Sequence, residues 1–157
     1  EFSAHKAGNV AAPALLIDQF AASHERGDDS LIVNLLDSKL ASPNPDYLSY
    51  TVSKQALAGL TELAARALAP RGIRVNAVMP GLVDTPLMQS APPAFFDAAL
   101  AEIPLGRVGT PADIAPTIVF LCSDDSAYYN GAELVIDGGL TAHVSHKGIA
   151  DATRPQP

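Results

Sequence analysis

The sequence predicts an α/β protein in which helices pack on the faces of a parallel sheet. Three short apolar segments have the character of buried strands, and segments with helical spacing separate them. Strands that alternate with helices in this way form parallel sheets. With 157 residues, 48% of them hydrophobic, the chain is expected to form one domain over residues 1–142 with a polar tail at 143–157.

The first two predicted elements are a helix and a strand. Residues 10–26 repeat apolar side chains at helical spacing until Gly and charged residues interrupt the pattern. The run "LIVNLL" at 31–36 is almost wholly apolar, which is typical of a strand buried on both faces of a parallel sheet. Asp37 follows this strand directly.

A second helix and strand complete a strand, helix, strand unit. The segment 42–46 contains two prolines and is predicted to be a loop that precedes a long helix at 47–69. "IRVNAVMPG" at 73–81 is rich in β-forming residues and ends in a Pro-Gly turn.

The remaining segments predict a lid, a helix and a last strand. Residues 82–110 are rich in proline and too long for an ordinary connection, so we expect a lid with short helical pieces. Residues 111–123 begin with a proline suited to a helix start, and the apolar run at 132–139 ends in two glycines.

Composition narrows the classes of partner and location. The net charge of −7 and the lack of a Lys/Arg-rich run argue against nucleic acid and membrane surfaces, and favour a small-molecule substrate. No segment has the length of a membrane span or the pattern of a secretory signal, so we expect a cytoplasmic protein. The single cysteine, Cys122, excludes a disulfide framework and is interpreted as a small buried apolar residue. No metal site is predicted.

The stretch "SYTVSK" at 49–54 sets Tyr50 and Lys54 four residues apart, on one face of the predicted helix. A nearby positive charge favours the phenolate and lowers the tyrosine pKa from its ordinary value of about 10. The pair is therefore interpreted as a tuned proton donor. The same spacing also arises by chance in helices where the tyrosine packs and the lysine is solvated.

The location of the pair strengthens this interpretation. The first strand ends next to Asp37, and the second ends at the Pro80-Gly81 turn. Both lie at the carboxyl edge of the predicted sheet, where open α/β sheets bind ligands.

Over residues 1–142 these motifs resemble the C-terminal part of the short-chain dehydrogenase/reductase family. The family's Tyr-x-x-x-Lys motif is matched by Tyr50 and Lys54, and its Asn-x-x-x-Pro-Gly motif with a following Thr by "NAVMPGLVDT". "PLGRVGTPADIA" and "NGAELVIDGG" are similar to the family's late helix and last strand. The resemblance implies a Rossmann-like, doubly wound parallel sheet and hydride transfer with a nicotinamide cofactor.

One residue departs from the family pattern. The family has a serine thirteen residues before its tyrosine, where this sequence has Asp37, and this replacement resembles the pteridine reductases. A carboxyl group accepts a hydrogen bond when ionised and donates one when protonated, and a pterin needs both abilities. Two alternatives stay open: Asp37 only caps the loop, or the neighbouring Ser38 supplies the hydroxyl that an ordinary carbonyl substrate needs.

The resemblance also implies a role for each matched position. Tyr50 would give the proton, Lys54 would hold the nicotinamide ribose, and Asn9 would hold a water that relays protons. The predicted catalytic residues are Asn9, Asp37, Tyr50 and Lys54; the cofactor contacts are Tyr50, Lys54, Pro80, Gly81, Val83 and Thr85; and the substrate contacts are Asp37, Leu87, Met88 and Phe95. The last three belong to the predicted lid at 86–106, whose apolar side chains have plain packing as an equal explanation.

The glycine-rich turn that holds the cofactor pyrophosphate in this family is not found here. We therefore expect the sequence to hold the C-terminal half of the fold, with the N-terminal half outside it, and the fragment alone to be inactive. NADP(H) is expected rather than NAD(H), although the residues that sense the 2′-phosphate belong to the absent half.

Three functions follow from these observations. The first is reduction of a C=N or C=O group by NAD(P)H, with a pterin as one candidate substrate. The second is a general carbonyl reductase, a 3-oxoacyl reductase or an alcohol dehydrogenase of the same family. The third is a non-catalytic interaction module. Helices 10–26 and 47–69 are predicted to form a homodimer or homotetramer.

Overall fold

The sheet has three parallel strands in the order β1-β2-β3. The computed structural model describes residues 1–25, 29–86, 88 and 92–142. Within them, β1 is Ser30–Leu35, β2 is Ile73–Pro80 and β3 is Glu133–Ile136. The predicted α/β class and parallel sheet are confirmed, and the predicted tail at 143–157 lies outside the described residues.

The central strand, β2, is the most deeply buried. Ile73, Val75 and Val78 are fully buried, as expected for a strand paired on both sides. Among the described residues, β1 pairs only with β2, and Leu35 of β1 is 53% exposed. Ile32 of β1 nevertheless packs on one core and Val33 on the other, so β1 contributes to both faces as predicted, although it is less deeply buried than β2.

Helices cover both faces of the sheet. On one face, α2 (Ala12–Ser23) and α3 (Leu48–Leu68) contribute to a core that includes Ile73 and Val75 of β2. On the other face, α5 (Pro111–Leu121) packs against Val78. Side chains that alternate along β2 thus supply both cores, and the sheet is Rossmann-like in its layering.

The N-terminal helical segment begins earlier than residue 10. It consists of α1 (Phe2–Lys6), a π-helical turn at Ala7–Ala11, and then α2. The apolar pattern missed this start because glycine and asparagine are poor residues for a helix interior. Pro13 lacks the N–H that would bond to the carbonyl of Asn9 in an α-helix, and the π turn lies at this point.

The described residues of the predicted lid include a helix of 10 residues, α4 (Pro93–Glu102). The segment after it ends in a capping box at the start of α5, where Thr110 and Asp113 exchange hydrogen bonds. Cys122 is exposed just after α5 ends, so its interpretation as a buried residue is wrong. No helix in the described part of the chain is both long and apolar enough to cross a bilayer.

Asn76 ties β2 to the segment before β3. This fully buried amide donates to the carbonyl of Tyr129 at 2.8 Å and accepts from the N–H of Ala132 at 2.9 Å. Asn76→Ala removes both hydrogen bonds of a fully buried side chain and leaves the N–H of Ala132 without this acceptor. The carbonyl of Tyr129 keeps a bond from Arg74, so we expect the free energy of unfolding to fall by about 1–3 kcal/mol. Denaturant unfolding measures the change, with the exposed Gln55→Ala as the control. A loss below about 0.5 kcal/mol would contradict it.

Candidate active site

Asp37 lies where β1 ends, at the carboxyl edge of the sheet. Its backbone is extended, and its carboxylate caps the short 3-10 turn Ser38–Leu40 by accepting from the N–H of Lys39 at 2.8 Å. Asp37 therefore caps the turn, but the alternative that it only caps the loop is wrong, because its other oxygen contacts Tyr50. Capping uses only one carboxylate oxygen, Oδ1, so it leaves the other available for a second partner.

The second carboxylate oxygen of Asp37 meets the tyrosine of the predicted pair. The Tyr50 hydroxyl donates to Asp37 Oδ2 at 2.7 Å, across thirteen residues of sequence. The distance is that of an ordinary, well-formed O–H···O hydrogen bond. The structure thus brings together Asp37 from the end of β1 and Tyr50 from the first turn of α3.

Lys54 lies one turn further along α3. Its ammonium donates to the carbonyl of Leu35 at 2.7 Å and lies 5.8 Å from the centroid of the Tyr50 ring. Partial burial lowers the Lys54 pKa, and the negative charge of Asp37 opposes that shift. The ammonium is therefore held beside the tyrosine by the sheet backbone.

The acidity of Tyr50 differs from the sequence-based expectation. Burial of the phenol raises its pKa, and the hydrogen bond to Asp37 and the negative charge of that carboxylate raise it further. The prediction that Lys54 lowers the tyrosine pKa is thus wrong for this arrangement. The spacing along the helix indicated that Lys54 lies near Tyr50. It gave no information about the burial of the phenol or about its hydrogen bond to Asp37.

Asn9 connects the N-terminal segment to the same helix. It lies in the π turn, and such turns are frequent at functional sites. Its side-chain N–H donates to Ser53 Oγ at 2.9 Å, and that hydroxyl donates to the carbonyl of Tyr50 at 2.7 Å. Asn9 is therefore tied to the backbone of the tyrosine.

Two further residues lie at this site that the sequence did not single out. His5 shares a hydrogen bond with Ser49, and its ring lies edge-on to the Tyr50 ring at a centroid distance of 5.6 Å. The Lys39 ammonium lies 4.2 Å from the Tyr47 ring centroid and 5.9 Å from that of Tyr50. His5 precedes Asn9 by one helical turn, a signal that became visible only once the helix was known to begin at residue 2.

The turn that follows β2 holds the predicted cofactor contacts. Val83 forms an isolated parallel bridge with Gly109, so the turn is tied to the loop before α5. The carbonyl of Thr85 accepts from the N–H of Met88 at 2.8 Å. Pro80 ends β2, and Gly81 follows it with its N–H donating to the carbonyl of Ile136.

Gly81 is also required by close packing. A Cβ added there would lie 2.7 Å from both Cα and Cβ of Asp137, and a backbone atom cannot move away cheaply. We expect Gly81→Ala to lower the free energy of unfolding by about 2 kcal/mol or more. Gly59→Ala is the matched control, because nothing lies within 4 Å of its added Cβ and alanine stabilises a helix by about 0.5–1 kcal/mol. Equal unfolding midpoints for the two variants would contradict the packing role.

The predicted substrate contacts are only partly placed near this centre. Leu87 lies outside the described residues. Met88 is half-buried in the turn after β2, and Phe95 is 39% exposed on α4, edge-on to Phe96. Among the described residues, no hydrogen bond or ring contact joins Met88 or Phe95 to Tyr50.

The donors beside Tyr50 suit a ribose diol, which is the cofactor group nearest the reacting ring of a nicotinamide nucleotide. An ammonium has three N–H donors, and Lys54 gives one of them to Leu35, which leaves two for hydroxyl oxygens. The Tyr50 hydroxyl is both donor and acceptor at the same edge. The residues present therefore fit the nicotinamide end of such a cofactor by their chemistry.

Comparison with known proteins supports the same family. Residues 1–141 match the family described as "Enoyl-(Acyl carrier protein) reductase". The chain is 46% identical over 97 residues, 62% of its length, to the 3-oxoacyl-[acyl-carrier-protein] reductase FabG of Thermotoga maritima. It is 39% identical over 127 residues, 80% of its length, to the (3R)-3-hydroxyacyl-CoA dehydrogenase of Rattus norvegicus.

A 3-alpha-(or 20-beta)-hydroxysteroid dehydrogenase of Mycobacterium bovis is also similar, with 44% identity over 97 residues, 62% of this chain. These matches cover 39%, 49% and 35% of the three relatives, so the chain spans at most about half the length of the curated relatives it matches. The match over residues 1–141, together with Tyr50 and Lys54 on one helix of a parallel α/β fold, shows that the chain belongs to the short-chain dehydrogenase/reductase family.

Proposed function

We propose that the protein is an NAD(P)(H)-dependent oxidoreductase that reduces a carbonyl group, with Tyr50 as the proton donor. The observation that carries the proposal is the 2.7 Å hydrogen bond from the Tyr50 hydroxyl to Asp37, at the carboxyl edge of a parallel sheet. Open α/β sheets bind their ligands at this edge. The named relatives are a reductase and two dehydrogenases, which supports the same reaction class.

Proton transfer to the substrate depends on the protonation state of the Tyr50 phenol. The phenol holds its proton at neutral pH, as a donor must, and the burial and the bond to Asp37 that raise its pKa make it a weaker acid until a substrate takes that bond. A carbonyl oxygen that enters the site would take the hydrogen bond now given to Asp37, and would receive the proton as negative charge develops on it. Lys54 would stabilise the phenolate that remains. The nicotinamide would supply the hydride.

The relatives' names support a substrate class for this proposal. They act on a 3-oxoacyl group, a 3-hydroxyacyl group and a hydroxysteroid, each of which carries a ketone or its alcohol. We therefore take a ketone or a secondary alcohol as the first substrate class. The test is oxidation of NADPH and NADH by the intact protein with a 3-oxoacyl thioester and a 3-ketosteroid.

Binding of the cofactor must be measured as well as turnover. We expect micromolar to millimolar binding of a reduced nicotinamide cofactor, as in enzymes generally, with NADPH preferred to NADH. Failure to bind either cofactor would contradict the enzyme proposal and favour the non-catalytic interaction module. Binding without turnover of any ketone would contradict the substrate class.

A pterin is the second candidate, and the aspartate at position 37 is the observation that favours it. An ionised carboxylate suits the amino group of a pterin, and a protonated one suits its ring nitrogens. Asp37→Ser tests this role, because serine keeps a hydroxyl but loses the charge. We expect this variant to lose reduction of a dihydropterin while it retains reduction of a ketone. Unchanged dihydropterin reduction would contradict the role of Asp37.

We also propose that two copies of the protein assemble through α2 and α3. These helices expose Leu15, Leu16 and Leu63 by 62%, 66% and 67%, beside a groove of about 410 Å³ between them. Apolar surface of this kind favours a protein interface. Sedimentation of Leu63→Glu should show a smaller species than the wild type, whereas Leu105→Glu, an equally exposed leucine outside both helices, should not.

A further inference from the structure

His5 and Ser49 join the N-terminal segment to the start of α3. His5 Nδ1 and Ser49 Oγ lie 2.9 Å apart, although 44 residues separate them in sequence. One turn further along each helix, Asn9 donates to Ser53 at 2.9 Å. Two parallel hydrogen bonds therefore fasten α1 and the π turn to the first two turns of α3.

The start of α3 needs such support. Tyr50 is only the third residue of this helix, which continues from the 3-10 turn Pro45–Tyr47 with Asn44 as its cap. Tyr47 itself gives no side-chain capping bond. The end of a helix frays more readily than its interior. A catalytic group at this position depends on contacts from outside its own helix.

His5 supplies such a contact to the tyrosine side chain as well. Its ring lies edge-on to the Tyr50 ring, with centroids 5.6 Å apart and planes at 75°. This is a preferred geometry for two aromatic rings, because the positive edge of one meets the negative face of the other. His5 is half-buried at this contact, whereas the adjacent Lys6 is exposed.

We propose that His5 is a positioning residue for Tyr50, which it holds through the hydrogen bond to Ser49 and the edge-on ring contact. The proposal rests on the proposed function of Tyr50 as proton donor. The contact between the two rings limits sideways movement of the Tyr50 phenol relative to its hydrogen bond with Asp37. The hydrogen bond with Ser49 holds the His5 ring in place. Small displacements of a catalytic group are costly to the rate, so the predicted defect lies in kcat and not in cofactor binding.

Four variants of the intact protein test the proposal. His5→Ala removes both contacts, Ser49→Ala removes the hydrogen bond alone, and His5→Phe keeps an aromatic ring without the hydrogen bond. We expect His5→Ala to lower kcat by about tenfold at unchanged affinity for NADPH, and His5→Phe and Ser49→Ala to lie between it and the wild type. Lys6→Ala, on the same helix, is the control and should match the wild type.

The outcomes are distinct. A kcat for His5→Ala within about twofold of the wild type, or an equal loss in His5→Phe and His5→Ala, would overturn the positioning role. If His5→Ala fails to fold, the comparison of His5→Phe and Ser49→Ala with the wild type decides alone, and unchanged kcat in both would overturn it.

A spectroscopic measurement separates this proposal from the proposed function. With ring-labelled tyrosine, the NMR signal that disappears in Tyr50→Phe belongs to Tyr50. We expect that signal to shift in His5→Phe and Ser49→Ala but not in Lys6→Ala, whether or not the wild type turns over a ketone. An unshifted signal overturns the positioning role, whereas an inactive wild type with a shifted signal overturns only the proposed function.

Discussion

Tyr50→Phe is expected to lower kcat for ketone reduction by about 10²- to 10⁴-fold. The change removes only the hydroxyl, which donates to Asp37 at 2.7 Å and is the one proton donor in our proposed mechanism. General acid catalysis by a positioned side chain contributes a factor of this size. Steady-state oxidation of NADPH with a 3-oxoacyl thioester measures the effect.

Tyr47→Phe is the matched control for this variant. It removes a phenolic hydroxyl from a tyrosine three residues earlier in the sequence. Tyr47 is 44% exposed, and the substitution keeps its ring under the Lys39 ammonium. We expect the control to retain both the wild-type kcat and the wild-type affinity for the cofactor. Equal activity of Tyr50→Phe and Tyr47→Phe would show that the proton comes from another group.

Asp37→Asn is expected to shift the pH dependence of alcohol oxidation toward lower pH. Oxidation needs Tyr50 as a phenolate, so its rate rises as the pH approaches the tyrosine pKa from below. The Asp37 carboxylate raises that pKa, in addition to the larger effect of burial. Asparagine keeps the shape of the side chain and removes the charge, so phenolate forms at lower pH in the variant.

The measurement for Asp37→Asn is kcat/KM for a secondary alcohol as a function of pH, which reports ionisations of the free enzyme. The inflection should lie lower in the variant than in the wild type. Reduction needs the protonated phenol. Tyr50 should stay protonated at neutral pH in both proteins, so the rate of reduction should not fall for lack of a protonated donor. An inflection that stays in place or moves to higher pH would contradict the electrostatic role of Asp37.

Strands and helices with strong periodicity could be predicted from the sequence, and the reasons are physical. Continuous apolar runs gave β1 and β2 to within a residue or so, and α3 (Leu48–Leu68) lies almost where spacing and the preceding Pro-rich loop placed it. Burial could not be predicted as well, because β1 and β2 have similar composition and only their pairing distinguishes an edge from a centre.

Sequence reasoning selected three residues that the structure brings together, but it did not predict their electrostatics. Tyr50 and Lys54 follow from their spacing, and Asp37 follows from the end of a strand. The direction of the Tyr50 pKa shift depends on burial and on which carboxylate oxygen faces the phenol, and Lys54 is drawn to the carbonyl of Leu35. These contacts depend on tertiary structure, which cannot be inferred from the spacing of two residues along a helix.

His5 was missed for a local reason. Gly8, Asn9 and Pro13 disfavour an ordinary helix, so the pattern suggested a start near residue 10. The structure continues the helix through a π turn instead, and this places His5 one turn before Asn9, against the start of α3. A helix that tolerates such residues at a candidate site is consistent with a functional constraint on its shape.

Transfer of deuterium tests the central claim most directly. The intact protein is supplied with a ketone and with NADPH that carries deuterium at the carbon that donates hydride, and the product alcohol is analysed by mass spectrometry and NMR. We predict that one deuterium appears on the carbinol carbon with wild-type protein, and that Tyr50→Phe forms the same labelled product far more slowly. Alcohol without deuterium on that carbon, or equal rates for the two proteins, would contradict a nicotinamide-dependent reduction centred on Tyr50.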